Sequence, residues 1–574
     1  MFEQTMRTSV AALFAGLVLI LAPVAAAKPN IVVLMTDDQT LDSMSVMPQT
    51  QRLLGKKGTT FTRNFVNYSL CCPSRATLYT GQYAHNHGVL GNGPPVGGYT
   101  RLDTSNWLPL WLQAAGYRTM HVGKFLNGYG RLSSPTEVPP GFNDWHGTVD
   151  PTTYSFWNYT VNENGVLHTY GAANEPEFYS TDFFARRANE LIAAAAPSDQ
   201  PFFMSVAFLA PHAGQPVEPG DPAGQPTPAP APRHVNAFST VGLPQPASFN
   251  EADMTDKPAA MQRRPLLTPE RTAAIQESYQ QRLESLLAVD EAVGSIVGGL
   301  DAAGELDDTL ILFTSDNGFF HGEHRVPQGK ILAYEPSIRL PLIMRGPGVP
   351  EDERQSQLVT NADLAPTILD AADAKAGRVQ DGRSLFGLLD DPGVQWGREL
   401  LIEGGNNQGL TFTALRNYRW KYIEHRNGEV ELYDLERDPD ELTNVAADPA
   451  LGLLRTAMAT RLAALRVCAG GSCRAKPSLR LDAARRRCSF NAAVRGADAR
   501  AIERVEFLVR RRPRRGARDA PASFRRLARD VKPRFRKRVR AAGVLPGRRF
   551  LMRARVRLGD GRSVTLDEKR RSCR

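Results

Sequence analysis

The chain has 574 residues, 42% of them hydrophobic and 23% charged, so it is too long for one ordinary domain and too apolar for a disordered one. Its net charge of +10 hides an asymmetry: residues 466–574 carry 35 Lys/Arg against 9 Asp/Glu, a balance of +26, while residues 1–465 carry −16. This excludes a uniformly basic nucleic-acid binder and predicts an acidic body with a basic appendage.

The first 27 residues read as a secretory signal. Arg7 leads into an apolar run from Val10 to Ala22, followed by Ala25-Ala26-Ala27 at the expected cleavage point. The rival reading, an uncleaved anchor, asks for about 20 apolar residues, more than the run supplies. With no other stretch apolar enough to span a bilayer, the mature chain is expected to be secreted, where disulfides persist.

"PNIVVLMTDDQ" is a short apolar run ending abruptly in acid, the pattern of a strand buried on both faces. "PFFMSVAF" at 201–208, "TLILFTSDNG" at 309–318 and "LPLIMRGPG" at 340–348 read the same way. Between them the clearest helix runs from Thr268, an N-cap followed by Pro269, to Leu300, with Gly304 just beyond. Alternating strands and helices predict an α/β fold with a largely parallel sheet, which binds ligands beyond the carboxyl ends of its strands. Residues 214–265, rich in Pro and Gly, are expected to form an irregular surface loop edging the site.

The pattern then shortens. The expected domains are a catalytic body at 28–384, a small α+β lobe at 385–465 with two or three strands and the helix "LLRTAMATRLAALR", and a basic domain at 466–574. In the last, "RRFLMRARVRLGDGRSVTLDEK" puts Phe550, Met552, Ala554, Val556 and Leu558 on one face and arginines on the other, which predicts an all-β, immunoglobulin-like sandwich. Cys468 with Cys473 and Cys488 with Cys573 is one of three pairings open to its four cysteines. An arginine-striped strand suits a polyanion partner, or else a solvated face answering the acidic body; no motif points to specific nucleic-acid readout.

Asp37-Asp38 and Asp316-Asn317 both follow predicted strands and converge if those strands are neighbours. Four hard oxygen donors without His or Cys favour Ca²⁺ or Mg²⁺, although acids after strands also cap helices. Cys71 and Cys72 are neighbours too short-linked to bridge each other comfortably.

Cys71-Cys72-Pro73-Ser74-Arg75, followed by Thr80-Gly81, resembles the signature of the type I sulfatases, which belong to the alkaline phosphatase-like superfamily. The resemblance covers Lys28 to about Pro449. It implies that a formylglycine-generating enzyme oxidises Cys71 to an aldehyde that hydrates to a diol, while Cys72 fills the variable position as an inert packed side chain. It further implies Asp37, Asp38, Asp316 and Asn317 as calcium ligands, with magnesium the alternative. Arg75 would hold the hydrate, Lys124 and Lys330 the sulfate, and His212 the leaving oxygen. One diol hydroxyl would attack sulfur in line, and the second would then expel sulfate and regenerate the aldehyde.

"GYRTMHVGKFLNGYG" matches the family's second signature except that Asn127 stands where a histidine is commonest. In this it is similar to the branch containing N-acetylglucosamine-6-sulfatases and extracellular heparan sulfate endosulfatases, and "VPPGFNDWHG" and "YSFWNYTVNENG" strengthen the likeness. Asn127 is therefore expected on the substrate side, with His324, in "HGEHR", a candidate for the rim of the site, and simple aryl sulfates are disfavoured as natural substrates. In a second departure, Phe319-Phe320-His321 shifts a histidine by one position. The implied function is hydrolysis of a sulfate monoester, on a sulfated glycan or a small ester. The alternative on the same fold is a phosphodiesterase or phosphonate monoester hydrolase, and a non-catalytic glycan binder is a third reading.

Overall fold

In the computed structural model the apolar run Asn30–Thr36 is strand β1, buried along its whole length. Successive side chains of a strand point to opposite faces, and β1 divides accordingly: Ile31, Val33 and Met35 enter one apolar cluster, Val32 and Leu34 the other. Both faces of the sheet are covered, which is why the strand is apolar at every position rather than at alternate ones. The described residues are 28–218, 220–390, 396, 398–474, 480–486, 489–495, 502–511, 525–530, 536–540, 549–558 and 563–571. The signal segment and the suggested Cys488–Cys573 pair lie outside them.

The other strands of this sheet are β2 (Thr59–Phe61), β3 (Arg118–Gly123), β4 (Asp144–Thr148), β5 (Tyr159–Glu163), β6 (Val166–Tyr170), β7 (Phe202–Ala207), β8 (Thr309–Ser315), β9 (Leu342–Arg345) and β10 (Glu353–Gln355). Their spatial order is β10, β2, β9, β8, β1, β7, β3, β4, β5, β6. The centre, from β8 to β4, is parallel, whereas β9, β5 and β6 each run antiparallel to a neighbour. Helix α1 (Cys71–Thr80) contributes Ala76 and Leu78 to the first cluster. Helices α2 (Ser180–Ala195) and α3 (Pro269–Ala302) pack Phe183, Ile192, Leu286 and Val293 into the second. Thr268 caps α3 as expected, its hydroxyl accepting from the Arg271 N–H at 3.2 Å. Among the described residues, 214–265 holds short turns of helix at Pro232–His234 and Ala259–Gln262 and isolated bridges at Gln215 and Phe249.

The small lobe is an antiparallel sheet of β11 (Leu400–Asn406), β12 (Gly409–Arg416), β13 (Trp420–His425) and β14 (Val430–Asp434), with α4 (Gly452–Leu465) beside it. The stretch from Phe412 to Pro439 supplies three of the four, within the two or three expected; β11, before that stretch, is the added one and carries a register shift at Gly404/Gly405. Asn67 pins this lobe to the segment leading into α1. Its side chain donates to the Leu401 carbonyl at 2.8 Å and accepts the Ala84 N–H at 2.9 Å, and its own carbonyl accepts from the Glu403 N–H at 2.7 Å. Beyond α4, Cys468 and Cys473 form a disulfide. Within that loop the Gly470 N–H donates to Asp381 at 2.6 Å, and the Cys468 carbonyl accepts from Asn86 at 2.9 Å.

The tail contains two antiparallel sheets. One is β15 (Arg480–Arg486), β16 (Ser489–Arg495) and β19 (Arg536–Arg540); the other runs β18 (Arg525–Asp530), β17 (Ile502–Arg511), β20 (Arg549–Leu558), β21 (Ser563–Arg571). One apolar cluster draws on both, with Leu481 and Val494 from the first and Phe507, Met552 and Val556 from the second.

Replacing Asn67 by Ala leaves a buried N–H and a buried carbonyl unpaired, and stability is expected to fall by about 2–4 kcal/mol. Calorimetry should register a lower melting temperature, with the largest loss of amide-exchange protection in β11 and the first turn of α1.

Candidate active site

Cys71 is the first residue of α1, at the end of the helix where backbone N–H groups lack intrahelical partners. Pro73, with no N–H to satisfy, suits that first turn, and the Cys72 N–H donates to the Asn92 side chain at 3.0 Å. Gly81 ends the helix in the left-handed region at φ 65°, its N–H bonded to the Thr77 carbonyl. All ten residues of α1 are buried. Cys72 packs inside the first apolar cluster, as its reading as a bystander requires. Arg75 follows Cys71 by four residues, hence one turn along the same face. Ser74 donates its hydroxyl to the Asp316 carbonyl and ties α1 to the end of β8.

The acids come from two adjacent strands. If β1 simply continued, Asp37 and Asp38 would point to opposite faces. Asp38 instead adopts φ 65°, which turns both carboxylates into one site. That turn is held by the Asp38 N–H donating to Asp316 Oδ1 at 3.1 Å and by Arg282 donating to the Asp38 carbonyl at 2.5 Å. Oxygens of Asp37, Asp38 and Asp316 lie within 4.8 Å of one another. Asn317 Oδ1 is buried there without a hydrogen-bond partner, and its amide donates to Asp38 Oδ1 at 2.5 Å. Three converging carboxylates and an unsatisfied amide oxygen fit a hard divalent cation.

Three cations answer the three acids. Arg75 donates to Asp316 at 2.9 Å, to Asp37 at 3.4 Å and to the Lys124 carbonyl at 2.9 Å. Lys124 contacts Asp37, and Lys330 contacts Asp38. Both ammonium groups also face Cys71, at 3.8 Å from Sγ for Lys124 and 3.0 Å for Lys330. Burial alone would raise the Asp37 and Asp38 carboxyls; the adjacent lysines outweigh it and hold both below the usual carboxylate range. Asp316 goes the other way, pushed up to about 6 by burial and by the Asp37 charge. Burial would lower Lys124 and Lys330, but Asp37 and Asp38 carry both above the ordinary lysine range. Burial, then the Asp37 charge, pushes the Cys71 thiol up to about 12, so as a thiol it is uncharged at neutral pH and a poor nucleophile.

Asp37, Asp38, Cys71, Arg75, Lys124, Asp316 and Asn317 are each at most 2% exposed, whereas the His212 and Lys330 side chains reach 22% and 12%. The cluster therefore opens to solvent on the His212–Lys330 side. His212 Nδ1 lies 2.6 Å from the Ala213 carbonyl, which can only accept, so Nδ1 carries a proton and Nε2 faces the acids, 3.7 Å from Asp38 Oδ2. Burial lowers this histidine to about 4 despite the neighbouring carboxylates. Asn127 stands one layer out, its amide donating to the Tyr154 hydroxyl at 2.5 Å. His324 is not brought to the cluster: it is 1% exposed, with Nδ1 2.6 Å from Glu251 and its ring 4.3 Å from that of Tyr334. Its backbone, at φ 49°, turns the ring into the loop it braces.

Two residues of the site were not singled out from the sequence. Arg282 occupies the stripe of α3 that continues as Leu286, Val289 and Val293, and a cation on an apolar stripe was the available signal. It stacks 4.0 Å over Phe319. Tyr154 lies under the Lys124 ammonium, 4.5 Å from the ring centroid, with the His212 ring 5.0 Å away. Nothing in its local sequence announces this. A cavity of about 830 Å³ is lined by Thr40, Asp42, Phe319 and His321 among others, and Cys71 is not part of its lining.

Residues 29–374 match the family model described as Sulfatase, and residues 322–468 match that of the N-sulphoglucosamine sulphohydrolase C-terminal region. An arylsulfatase of Volvox carteri is 34% identical, over 81% of this chain and 79% of its own. An N-acetylglucosamine-6-sulfatase of Homo sapiens is 31% identical, over 78% of this chain and 86% of its own. The fold is shared with a solved structure described as in complex with its substrate D-glucosamine-2-N,6-O-disulfate: TM-score 0.63 at 24% identity, over 76% of this chain and 97% of that one.

Because Tyr154 supports Lys124 through its ring, Tyr154→Ala should lower kcat/KM about 30-fold, the size of a desolvated cation–π contact of about 2 kcal/mol. Tyr154→Phe keeps the ring and should cost much less; steady-state kinetics of both variants separate the ring from the hydroxyl.

Proposed function

The chain belongs to the sulfatase family and is a sulfuric ester hydrolase, and we propose that its substrate is a sulfated sugar of the glucosamine-6-sulfate kind, cleaved outside the cytoplasm through a formylglycine made from Cys71. The observation that carries this reading is the setting of Cys71. It heads a buried helix, between two lysine ammonium groups and beside three converging carboxylates. A sugar substrate is supported by the human relative's name and by Asn127 in the second signature. Export is supported by the Arg7-led apolar run and the Cys468–Cys473 disulfide; no described helix is long and apolar enough to cross a membrane.

A sulfate monoester resists hydrolysis because its anionic oxygens repel nucleophiles and its alkoxide leaves poorly. The ammonium groups of Lys124 and Lys330 face Cys71, where that anion would sit. Arg75 directs its donors to Asp316, Asp37 and the Lys124 carbonyl, fixing the acids and one lysine together. Asp37, Asp38, Asp316 and Asn317 would hold Ca²⁺, or Mg²⁺, which when bound supplies positive charge against the sulfuryl oxygens. Formylglycine supplies, once hydrated, one hydroxyl as nucleophile and a second that lets sulfate leave as the carbonyl returns. His212, with Nδ1 fixed on Ala213 and Nε2 3.7 Å from Asp38, stands at the exposed side of the cluster, where it would orient the leaving oxygen or, once Nε2 has taken up a proton, protonate it.

Wild type and Cys71→Ala, assayed on glucosamine-6-sulfate, an aryl sulfate and a phosphate diester, test this reading together with the mass of the Cys71 peptide. The native peptide should carry an aldehyde mass, and Cys71→Ala should lose at least about 10⁴-fold in kcat, as removal of a nucleophile does. An unmodified thiol in fully active protein would sink the mechanism, and faster turnover of the diester would favour the phosphodiesterase or phosphonate hydrolase alternative. His212→Ala should lose about 10²–10⁴-fold. Stripping the metal should lower the melting temperature, and Ca²⁺ added at 100 times its Kd should restore about 2.7 kcal/mol.

A further inference from the structure

Arg282, on α3, is 3% exposed, and among the described residues no carboxylate lies at ion-pairing distance from its guanidinium. A buried cation without an acid partner costs more than an apolar side chain of its size, so a fold keeps one for a reason other than stability. Its two contacts lie on different turns. Nη2 donates to the Asp38 carbonyl at 2.5 Å, in the turn after β1, and the guanidinium carbon lies 4.0 Å from the centroid of the Phe319 ring, two residues beyond Asn317 in the turn after β8. Those turns carry Asp37 with Asp38 and Asp316 with Asn317, the four donors of the cation site. The turns also meet directly, but through the donors themselves: the Asp38 N–H bonds Asp316 Oδ1 at 3.1 Å, and the Asn317 amide bonds Asp38 Oδ1 at 2.5 Å. A bound ion would compete for both oxygens. Arg282 joins the turns without touching a donor atom.

We propose that Arg282 is a positioning residue for the cation site, clamping the Asp38 turn to the Phe319 turn and thereby setting the affinity for Ca²⁺; the inference rests on the divalent-cation reading of Asp37, Asp38, Asp316 and Asn317. Asp38 needs such a clamp because its φ of 65° is disfavoured for a residue with a side chain. Relaxed to an ordinary extended backbone, its carboxylate would leave the face that Asp37 occupies. Two electrostatic effects then oppose each other. A cation behind the site repels the ion, so its removal alone would tighten binding, whereas loss of the Asp38 donor removes a negative charge from contact distance, about 2.3–2.6 Å. Coulomb energy falls with distance, and Arg282 stands behind the Asp38 backbone. The lost donor outweighs the lost repulsion, and the sign of the change in affinity reports which role Arg282 plays.

Calorimetric titration of the metal-stripped full-length protein with Ca²⁺ tests this without any turnover. Arg282→Met is expected to raise Kd about 10–100-fold, the usual cost of losing a residue that orients a metal ligand. A merely structural residue would instead shift the melting temperature of the metal-free protein and leave Kd unchanged. Phe319→Leu removes the ring beneath the guanidinium and should weaken binding about threefold, with little further loss in the Arg282→Met background; fully additive losses overturn the clamp. Should Arg282→Met not fold, Arg282→Lys, which keeps the charge but not the planar fork, is expected to raise Kd at least about threefold. Unchanged or tighter Ca²⁺ binding by a folded Arg282 variant overturns the proposal. A wild type that binds neither Ca²⁺ nor Mg²⁺ overturns the cation reading itself, a result distinct from wild type and variant binding equally well.

Discussion

Everything in the catalytic body is arranged around three carboxylates buried where β1 and β8 end. Unpaired, each would cost several kcal/mol to remove from water and would protonate instead. Lys124, Lys330 and Arg75 neutralise them, and each cation is delivered by a different element. Lys124 comes from the turn after β3, Lys330 from the loop after β8, and Arg75 from α1. With Arg282 donating to the Asp38 carbonyl as a fourth buried cation, the cluster carries one positive charge more than its three carboxylates, which suits an anionic ligand.

That requirement explains why the surrounding structure is so strictly placed. Asp38 holds a left-handed backbone conformation that favours glycine, and it is kept there by Arg282 and Asp316. The small lobe, which supplies none of these side chains, fixes the approach of α1 through Asn67, so the position of Cys71 depends on residues more than three hundred positions later. The exposure of His212 and Lys330 beside an otherwise closed cluster gives the ester one side from which to enter.

The two charge populations of the chain are set apart. Within the body, cations and acids meet in buried pairs whose purpose is local electrostatics. In residues 466–574, Lys and Arg outnumber Asp and Glu by 35 to 9, and the overall +10 conceals both populations.

The sequence alone was enough for the central strands, because burial on both faces makes each of them a continuous apolar run. It also sufficed for α3, whose Thr268 and Gly304 mark its ends, whereas Cys71 stood out only through the resemblance of Cys71-Cys72-Pro73-Ser74-Arg75 to a family signature. The fourth strand of the lobe, bulged at Gly404/Gly405, lies before the stretch that signalled the others, and the rim position expected for His324 was undone by a turn that faces its ring inward. Tyr154 and Arg282 acquire meaning only where the chain, after long separations, lays them against Lys124 and Asp38. Local sequence determines periodicity, caps and motif spacing because these act over one or two turns. Which cation meets which acid, and which side of the cluster opens to water, is decided by the tertiary packing of strands and loops far apart in the chain.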